Sequence, residues 1–490
     1  MSRRRNLTKS VVIVGGGFSG AILAVQLLRR NPDLAITVLD KGRLPACGVA
    51  FGTPHPCHLL NVSAGGMSAL PDEPDHFLNW AREHHALPVT PSCYLPRALY
   101  GQYLGSLLEE ARSRSNFEWV QDEAQSIRHA ENGFVVERRN GPNLSGRVVV
   151  LAQGNFPPGN PGIAGAGQTA RYFSRAWSPA TLDGLSADSS VLLIGTGLTS
   201  VDMAIALHAK GFTGQIHLLS RRGLLPQPHT LCGTRQPLQK DRLARTVRGL
   251  LRQVRDEIEA ASATGSDWRA VIDALRPHTQ HVWQSWPLAE RRKFLRHLRA
   301  LWEVHRHRIA PEIAGIFSAM VASGQVQLHA GRIADYDERH EAAELTYRSR
   351  ASGVLQTLRV DRVINCTGPE TDYRKIKDPL LVSLLAQGLV QPDALGLGLE
   401  TDIQGALAGA DGVRSQILYA IGSARKGSLW ETTAVPELRA QAADLADHLM
   451  RSVLRDPPKP THPESARLKN LSPGISSVKI RLHREEIHAR

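Results

Sequence analysis

The stretch VVIVGGGFSGAILA, residues 11–24, constrains the fold of this chain more than any other. A short β-branched run suits a strand buried on both faces of a parallel sheet. GGGFSG, residues 15–20, places glycines where that strand must turn sharply into a helix, and AILAVQLLRR behind it has helical spacing. AITVLD at residues 35–40 supplies the next strand, completing a strand–helix–strand unit of about thirty residues. In such a unit Gly15 allows the tight turn, Gly17 lets a pyrophosphate approach the backbone, and Gly20 permits close packing of helix on strand. The helix N-terminus faces the phosphates. Asp40, at the strand end about twenty residues past Gly20, is placed to accept hydrogen bonds from ribose hydroxyls.

The pattern recurs at residues 191–204 as VLLIGTGLTSVDMA. Two glycine turns about 180 residues apart imply that the chain holds two dinucleotides. The second, GTGLTS at residues 195–200, keeps Gly195 and Gly197 but has Ser200 where the last glycine would stand, which a helix start tolerates. Its next strand, GQIHLLSRR at residues 214–222, ends not in an acid but in Ser220, Arg221 and Arg222. Arginine there pairs with a 2′-phosphate, whereas an acid selects the free hydroxyl, so NADPH is favoured over NADH. The alternative is that both arginines cap the sheet edge.

Between the units, DHFLNWAREH and RALYGQYLGSLLEEARSR have amphipathic helical spacing. VVVLAQG, residues 148–154, and VDRVINCTGP, residues 360–369, are strands with glycine exits at Gly154 and Gly368. Residues 238–321 form a long charged helical region, and the tail after Arg455, rich in proline and polar residues, is expected to be a mobile extension. The predicted class is α/β, with two Rossmann-like dinucleotide-binding domains and helical insertions.

Composition removes several other classes. A chain of 490 residues has room for two or three domains. Its 42% apolar and 21% charged residues are those of an ordinary globular protein, with no window suited to a membrane span. Fifty-nine basic against forty-six acidic residues leave a net charge of +13, which attracts anionic ligands. Acidic residues interleave the arginines between Arg242 and Arg308 and no nucleic-acid motif appears, so nucleic-acid binding is not expected. Cys47, Cys57, Cys93, Cys232 and Cys366 form neither a CxxC pair nor a zinc spacing, which fits a reduced cytoplasmic protein and counts against disulfide reductase chemistry. SRRRNLTK at the start imitates an export signal, but cleavage there would remove the first nucleotide motif, and export is not expected.

Single residues divide between structural and functional readings. The histidines in HRHR, residues 305–308, are two apart rather than the three or four that share a helix face, so a solvated or phosphate-facing basic helix is favoured over a metal site, and no metal is expected. Trp283, Trp286 and Trp302 are expected as core anchors. His229 is expected to be structural, the alternative being that it faces the nicotinamide. Glu437 suits the cap of the last helix. No GxSxG nucleophile is present.

Several stretches together resemble the two-dinucleotide-binding flavoproteins, and among them bacterial FAD/NAD(P)-binding proteins related to flavin-dependent monooxygenases. They are GGGFSG, GVAFGTPHPCHLLNVSAGGMS, YLPRALYGQYL, VVLAQGNFPP, LLIGTGLTSVD, LSRRGLLPQPH, FLRHLRALWEVHRHR, VINCTGP and AIGSARKGSLWETTAVPELRAQA, spanning residues 11 to 447. The resemblance implies FAD on the first turn, with Gly15, Gly17, Phe18, Ser19 and Gly20 at the pyrophosphate and Asp40 and Lys41 at the ribose. Asn61, Met67 and Arg97 would lie towards the flavin, and Gly154 and Gly368 at the strand exits. The segment from Gly422 to Ala434, with Trp430, Glu431 and Thr432, would return to cover the isoalloxazine. Gly195, Gly197, Leu198, Thr199, Ser200, Arg221 and Arg222 would serve NADPH. The implied FAD-binding domain is discontinuous, residues 1–160 and 360–455, around an NAD(P)-binding domain at 161–359, with 456–490 as the tail. One motif departs: GQTARYFSRAW at residues 167–177 has Trp177 at its terminal position but Phe173 where many flavin monooxygenases carry histidine.

The implied activity is FAD-dependent, NADPH-using oxidation of a small molecule, with oxygen inserted at a nitrogen, sulfur or carbonyl carbon. No residue is assigned a catalytic step. A flavin reductase passing electrons to a quinone or protein and a non-catalytic flavin sensor remain as alternatives, and homo-oligomerisation stays open.

Overall fold

A computed structural model describes residues 9–454 apart from 114–115, 164–169, 231–232, 234, 237 and 339–340. Cys232, the start of the GQTARYFSRAW motif and the tail 456–490 lie outside the described residues.

The first sheet is built from β1 (Ser10–Val14), β2 (Ala35–Asp40), β3 (Phe117–Gln121), β7 (Val148–Leu151), β15 (Ala406–Ala408) and β16 (Arg414–Ala420). They lie in the order β15-β16-β7-β1-β2-β3. β1 runs parallel between β2 and β7, Val11 opposite Ile36 on one side and Val148 on the other. All five β1 residues are buried, as expected for a central strand covered on both faces. The order reverses between β1 and β7, and at such a switch point the crevice beyond the carboxyl ends of the strands is open to a ligand. A small antiparallel sheet of β4 (Ala124–Ala130), β5 (Gly133–Arg138) and β6 (Leu144–Gly146) packs alongside.

The second sheet repeats the plan. It comprises β8 (Tyr172–Phe173), β9 (Val191–Ile194), β10 (Ile216–Ser220), β11 (Val326–Glu338), β12 (Ala343–Ser349), β13 (Leu355–Val360) and β14 (Arg362–Asn365), in the order β13-β12-β11-β10-β9-β14-β8. β9 sits parallel between β10 and β14, which gives a second switch point. β14 corrects one expected boundary. The stretch VDRVINCTGP is expected in the returning part of the first domain, but Val363 pairs with Leu192, so that strand completes the second sheet. Short apolar strands look alike in sequence, and only pairing assigns them to a sheet.

Among the described residues, six α-helices lie between β10 and β11: Val247–Ala263, Trp268–Leu275, Thr279–Ser285, Leu288–His297, Arg299–Arg306 and Pro311–Ala322. The last packs through Ile313, Phe317 and Met320 on the second sheet's own core, so the true insertion ends near residue 306. The others bury Leu250, Val282, Trp283, Trp286 and Phe294 together with Leu397 and Trp430 of the returning segment. No described helix is long and apolar enough to cross a membrane.

Candidate functional site

Gly15 has φ +106°, and a Cβ there would lie 2.3 Å from the Ala152 carbonyl oxygen at the end of β7. A Cβ on Gly20 would lie 1.9 Å from the Gly15 carbonyl oxygen, so the helix Phe18–Arg30 can approach its strand only with glycine at this position. Gly17 caps that helix with no side-chain bond to its first N–H groups, which have no intrahelical acceptor. The nearest atom to a Cβ on Gly17 would be the Gly48 Cα, at 3.6 Å, which leaves the turn open. A bare helix N-terminus in an open turn at a switch point is a cradle for a pyrophosphate.

Around that cradle the expected residues divide. Asp40 ends β2 with its carboxylate beside Gly42. Lys41 is exposed and approaches Glu123 at 3.5 Å and Asp378 at 3.8 Å. The Phe18 side chain is buried and packs near Phe51 and Tyr100, so only its backbone faces the turn. Met67 likewise belongs to the core. Gly154, with φ +68°, and Gly368, with φ +87°, border open space: a Cβ on either would meet no described atom within 4 Å. The returning segment reaches the cradle at Gly422: its φ is +80°, and a Cβ would stand 2.8 Å from the Ser19 Oγ. Thr432 holds this bend by donating its hydroxyl to the Gly422 carbonyl at 3.1 Å. Two further neighbours are absent from the sequence reading. Trp119 on β3 fills the space a Gly16 side chain would take, and Gly48, at φ +53°, crosses Gly17. The GVAFG stretch carries a signal for Gly48; the contact of Trp119 across two strands has none.

The second cradle is built alike, with Gly195 at φ +121° against the Cys366 carbonyl and Gly197 capping the helix Leu198–Ala209 with open space around it. Leu198 and Thr199, at that helix start, are half-buried. Ser200 is fully buried and donates its hydroxyl to the Gly195 carbonyl at 2.8 Å, so it braces the turn from inside rather than facing a ligand. Arg221 and Arg222 also part company. Arg222 donates to the carbonyls of Arg296 and His297 of the insertion, each at 3.2 Å, while Arg221 is exposed.

Arg97, expected towards the flavin, instead joins the two units. Its guanidinium meets Asp202, on the second cradle's helix, at 2.8 and 3.0 Å, and its Nε donates to the Leu59 carbonyl. Both side chains are buried. Burial raises the Asp202 carboxyl while Arg97 opposes it. His58 donates from Nε2 to the Asp202 carbonyl at 3.0 Å and pairs through Nδ1 with the Thr53 hydroxyl at 2.7 Å. Burial, with Arg97 nearby, pushes its pKa down to about 4, so this histidine is a neutral strut. Trp177 lies edge-on to His58 and under the Arg97 guanidinium. Phe173, in the place of the motif histidine, lies in β8 beneath Arg362. His229 donates to the Asn61 carbonyl at 3.0 Å, a second tie between the units.

Trp430 and Glu431 face the insertion rather than the first cradle. Trp430 packs against Trp283 and Phe294, their ring centroids 5.0 and 5.2 Å away. Glu431 accepts from the Trp302 indole at 2.7 Å and faces Arg306 at 3.1 Å. Although burial opposes ionisation, Arg306 and His307 hold its carboxyl below the usual range. The HRHR run is therefore not a solvated face: Arg306 and Arg308 are buried against Glu431 and Asp273, and His305 bonds the Leu301 carbonyl. Glu437 stands in the first turn of the last helix, Val435–His448, as expected, and also ion-pairs with Arg276 at 2.9 Å. Trp283 and Trp286 are core anchors as expected, whereas Trp302 spends its N–H on Glu431. Cys47, Cys57, Cys93 and Cys366 are all free, and burial pushes the Cys366 thiol up to about 12.

Two glycine-capped helix N-termini, each at the switch point of its own parallel sheet, give the chain a fold of two dinucleotide-binding-type units. Residues 12–156 match the family model described as FAD-NAD(P)-binding. No curated protein sequence matches the chain. Among solved structures, the chain is similar to the FAD-bound cadaverine monooxygenase of the desferrioxamine pathway from Erwinia amylovora, with TM-score 0.64 and 13% identity over 91% of this chain and 95% of that one. L-lysine 6-monooxygenase from Pseudomonas syringae gives TM-score 0.63 at 17% identity, over 90% and 99% of the two chains. Ornithine N-hydroxylase from Kutzneria sp. 744, solved with reduced FAD, NADP+ and L-ornithine, gives 0.60 at 14%, over 90% and 98%.

Proposed function

We propose that this protein is an FAD-dependent, NADPH-using monooxygenase that hydroxylates the nitrogen of a small amine. The carrying observation is the pair of open, glycine-capped cradles held to one another by the buried Arg97–Asp202 pair, in a fold that spans nearly the full length of amine-hydroxylating enzymes. Both cradles fit a dinucleotide, since each close approach would be filled by a Cβ and each helix start lacks a side-chain cap.

Gly15, Gly17 and Gly20 admit the FAD pyrophosphate, the N–H groups at Phe18 and Ser19 donate to it, and Asp40 accepts from the ribose. Gly195 and Gly197 do the same for NADPH. Arg221 is the cation left to meet its 2′-phosphate, because Arg222 is committed to the insertion. FAD, reduced by NADPH, supplies the activation of dioxygen. The chain's part is to orient the two nucleotides through Arg97, Asp202 and His58.

The test is to incubate the FAD-loaded protein with NADPH, isotopically labelled dioxygen and a panel of L-lysine, L-ornithine and cadaverine. Labelled oxygen in a hydroxylamine product supports the reading. Flavin bleaching with turnover only on an artificial electron acceptor supports a reductase, the reading that Phe173 favours by standing where the monooxygenase motif has histidine. No bleaching by NADPH supports a non-catalytic flavoprotein.

A further inference from the structure

A nucleotide 2′-phosphate brings more negative charge to the second cradle than one arginine balances: its charge is about −1.5 to −2, and it has three strong acceptor oxygens. Of the three residues at the end of β10 and just beyond it, two are already committed. The Ser220 hydroxyl accepts from the Gly223 N–H at 3.0 Å and pairs with the Thr196 hydroxyl at 2.9 Å, which holds the turn. Arg222 donates to the carbonyls of Arg296 and His297. Arg221 remains, and a guanidinium carries a single charge.

The commitment of Arg222 brings a second cation to the same place. The two carbonyls it meets end the helix Leu288–His297, so its bonds cover the negative end of that helix and fix it beside the strand end that carries Arg221. The chain leaving β10 is tied to the insertion and the turn that closes it at further points. Gln227 donates its N–H to the Val304 carbonyl at 2.9 Å and accepts from the Ile309 N–H at 3.0 Å, and the His229 N–H donates to the Ile309 carbonyl at 2.9 Å. The Arg269 Nε donates to the Pro228 carbonyl at 2.9 Å. Arg296 itself is exposed and forms no ion pair with a described residue, whereas Arg269, Arg276, Arg299 and Arg306 of the same insertion each have a carboxylate partner.

We propose that Arg296 is the second cation of the 2′-phosphate subsite, so that selection of NADPH is shared between the second cradle and the insertion. The inference rests on the NADPH reading above and adds a specificity-determining residue that no dinucleotide-binding motif carries. Arg221 approaches from the strand end and Arg296 from the helix end, while Arg222 covers the helix carbonyls that would otherwise repel the phosphate.

NADP+ and NAD+ are the probes, because they differ by that phosphate alone. Calorimetric titration of the FAD-loaded protein with each needs no turnover. Arg296→Met should weaken NADP+ binding about tenfold, the size of one charge-assisted contact, and leave NAD+ binding unchanged. Arg296→Lys should keep most of the preference. Arg292→Met, four residues earlier on the same helix face, should change neither affinity. An unchanged NADP+ affinity in Arg296→Met overturns the proposal and leaves Arg296 as a support of its helix end. Equal losses for the two nucleotides overturn it as well, since they report a displaced helix, and an equal loss in Arg292→Met overturns it by assigning the effect to the general field of the basic helix. The parallel titration of Arg221→Ala separates this inference from the reading beneath it. A preference lost there but kept in Arg296→Met leaves NADPH use standing and removes only the second cation. A wild type that binds the two nucleotides equally, or binds neither, refutes both.

Discussion

Replacing Asp202 with alanine tests whether the two cradles are locked by charge. Arg97 is 8% exposed and its Nε is held by the Leu59 carbonyl, so its guanidinium cannot swing out to water when its carboxylate is removed. It would lose both contacts, at 2.8 and 3.0 Å, and remain as a buried, unpaired cation. Removing one partner of a buried pair costs about 3–5 kcal/mol. Alanine is the best helix former, so the helix Leu198–Ala209 should persist and the loss falls on the junction. Urea unfolding followed by flavin fluorescence should place Asp202→Ala about 3 kcal/mol below the wild type. The double variant Arg97→Met with Asp202→Leu, which removes both charges and refills the space, should recover most of that. A loss under about 1 kcal/mol, or a double variant no better than Asp202→Ala, would refute the argument that an unpaired charge is the cause. The same variant should slow flavin reduction by NADPH without changing the amount of FAD bound, because the first cradle has its own supports.

Other consequences can be measured separately. Gly20→Ala should abolish FAD retention on a desalting column, since the added carbon would stand 1.9 Å from the Gly15 carbonyl oxygen, whereas Ser200→Ala should keep NADPH binding and cost about 1 kcal/mol for one lost hydrogen bond. Arg221→Ala should raise KM for NADPH at least about tenfold and leave KM for NADH nearly unchanged; equal effects on both would refute the 2′-phosphate assignment. His58 resists protonation until about pH 4 in the folded protein but takes up a proton near 6.5 when unfolded. The unfolded state therefore binds more protons between those values, so stability contributed by the neutral ring is present above 6.5 and is lost as the pH falls towards 4. The loss amounts to about 3 kcal/mol. His58→Gln should flatten the unfolding midpoint over that range, and an unchanged acid slope would refute the assignment.

Much of this molecule is legible in local sequence. The two strand–turn–helix units can be seen because burial on both faces of a parallel strand demands a continuous β-branched run, and because the turns at Gly15 and Gly195 need positive φ. Gly20 is legible for the same reason: the close approach of helix to strand occurs within about ten residues. The helices His76–His84 and Arg97–Ser113 also follow from spacing alone.

What tertiary structure decided is which of several equivalent side chains is free. Arg221 and Arg222 are adjacent and chemically identical, yet the carbonyls at Arg296 and His297 claim only the second. Arg97 is available for a cofactor by sequence alone, but Asp202, 105 residues away, occupies it. Trp430 and Glu431 follow a glycine bend that touches the first cradle, but the insertion packs on them from the other side. Local sequence determines backbone turns and strand burial because those depend on residues a few positions apart; the state of a charged side chain depends on every group within a few ångströms, and folding alone brings those together.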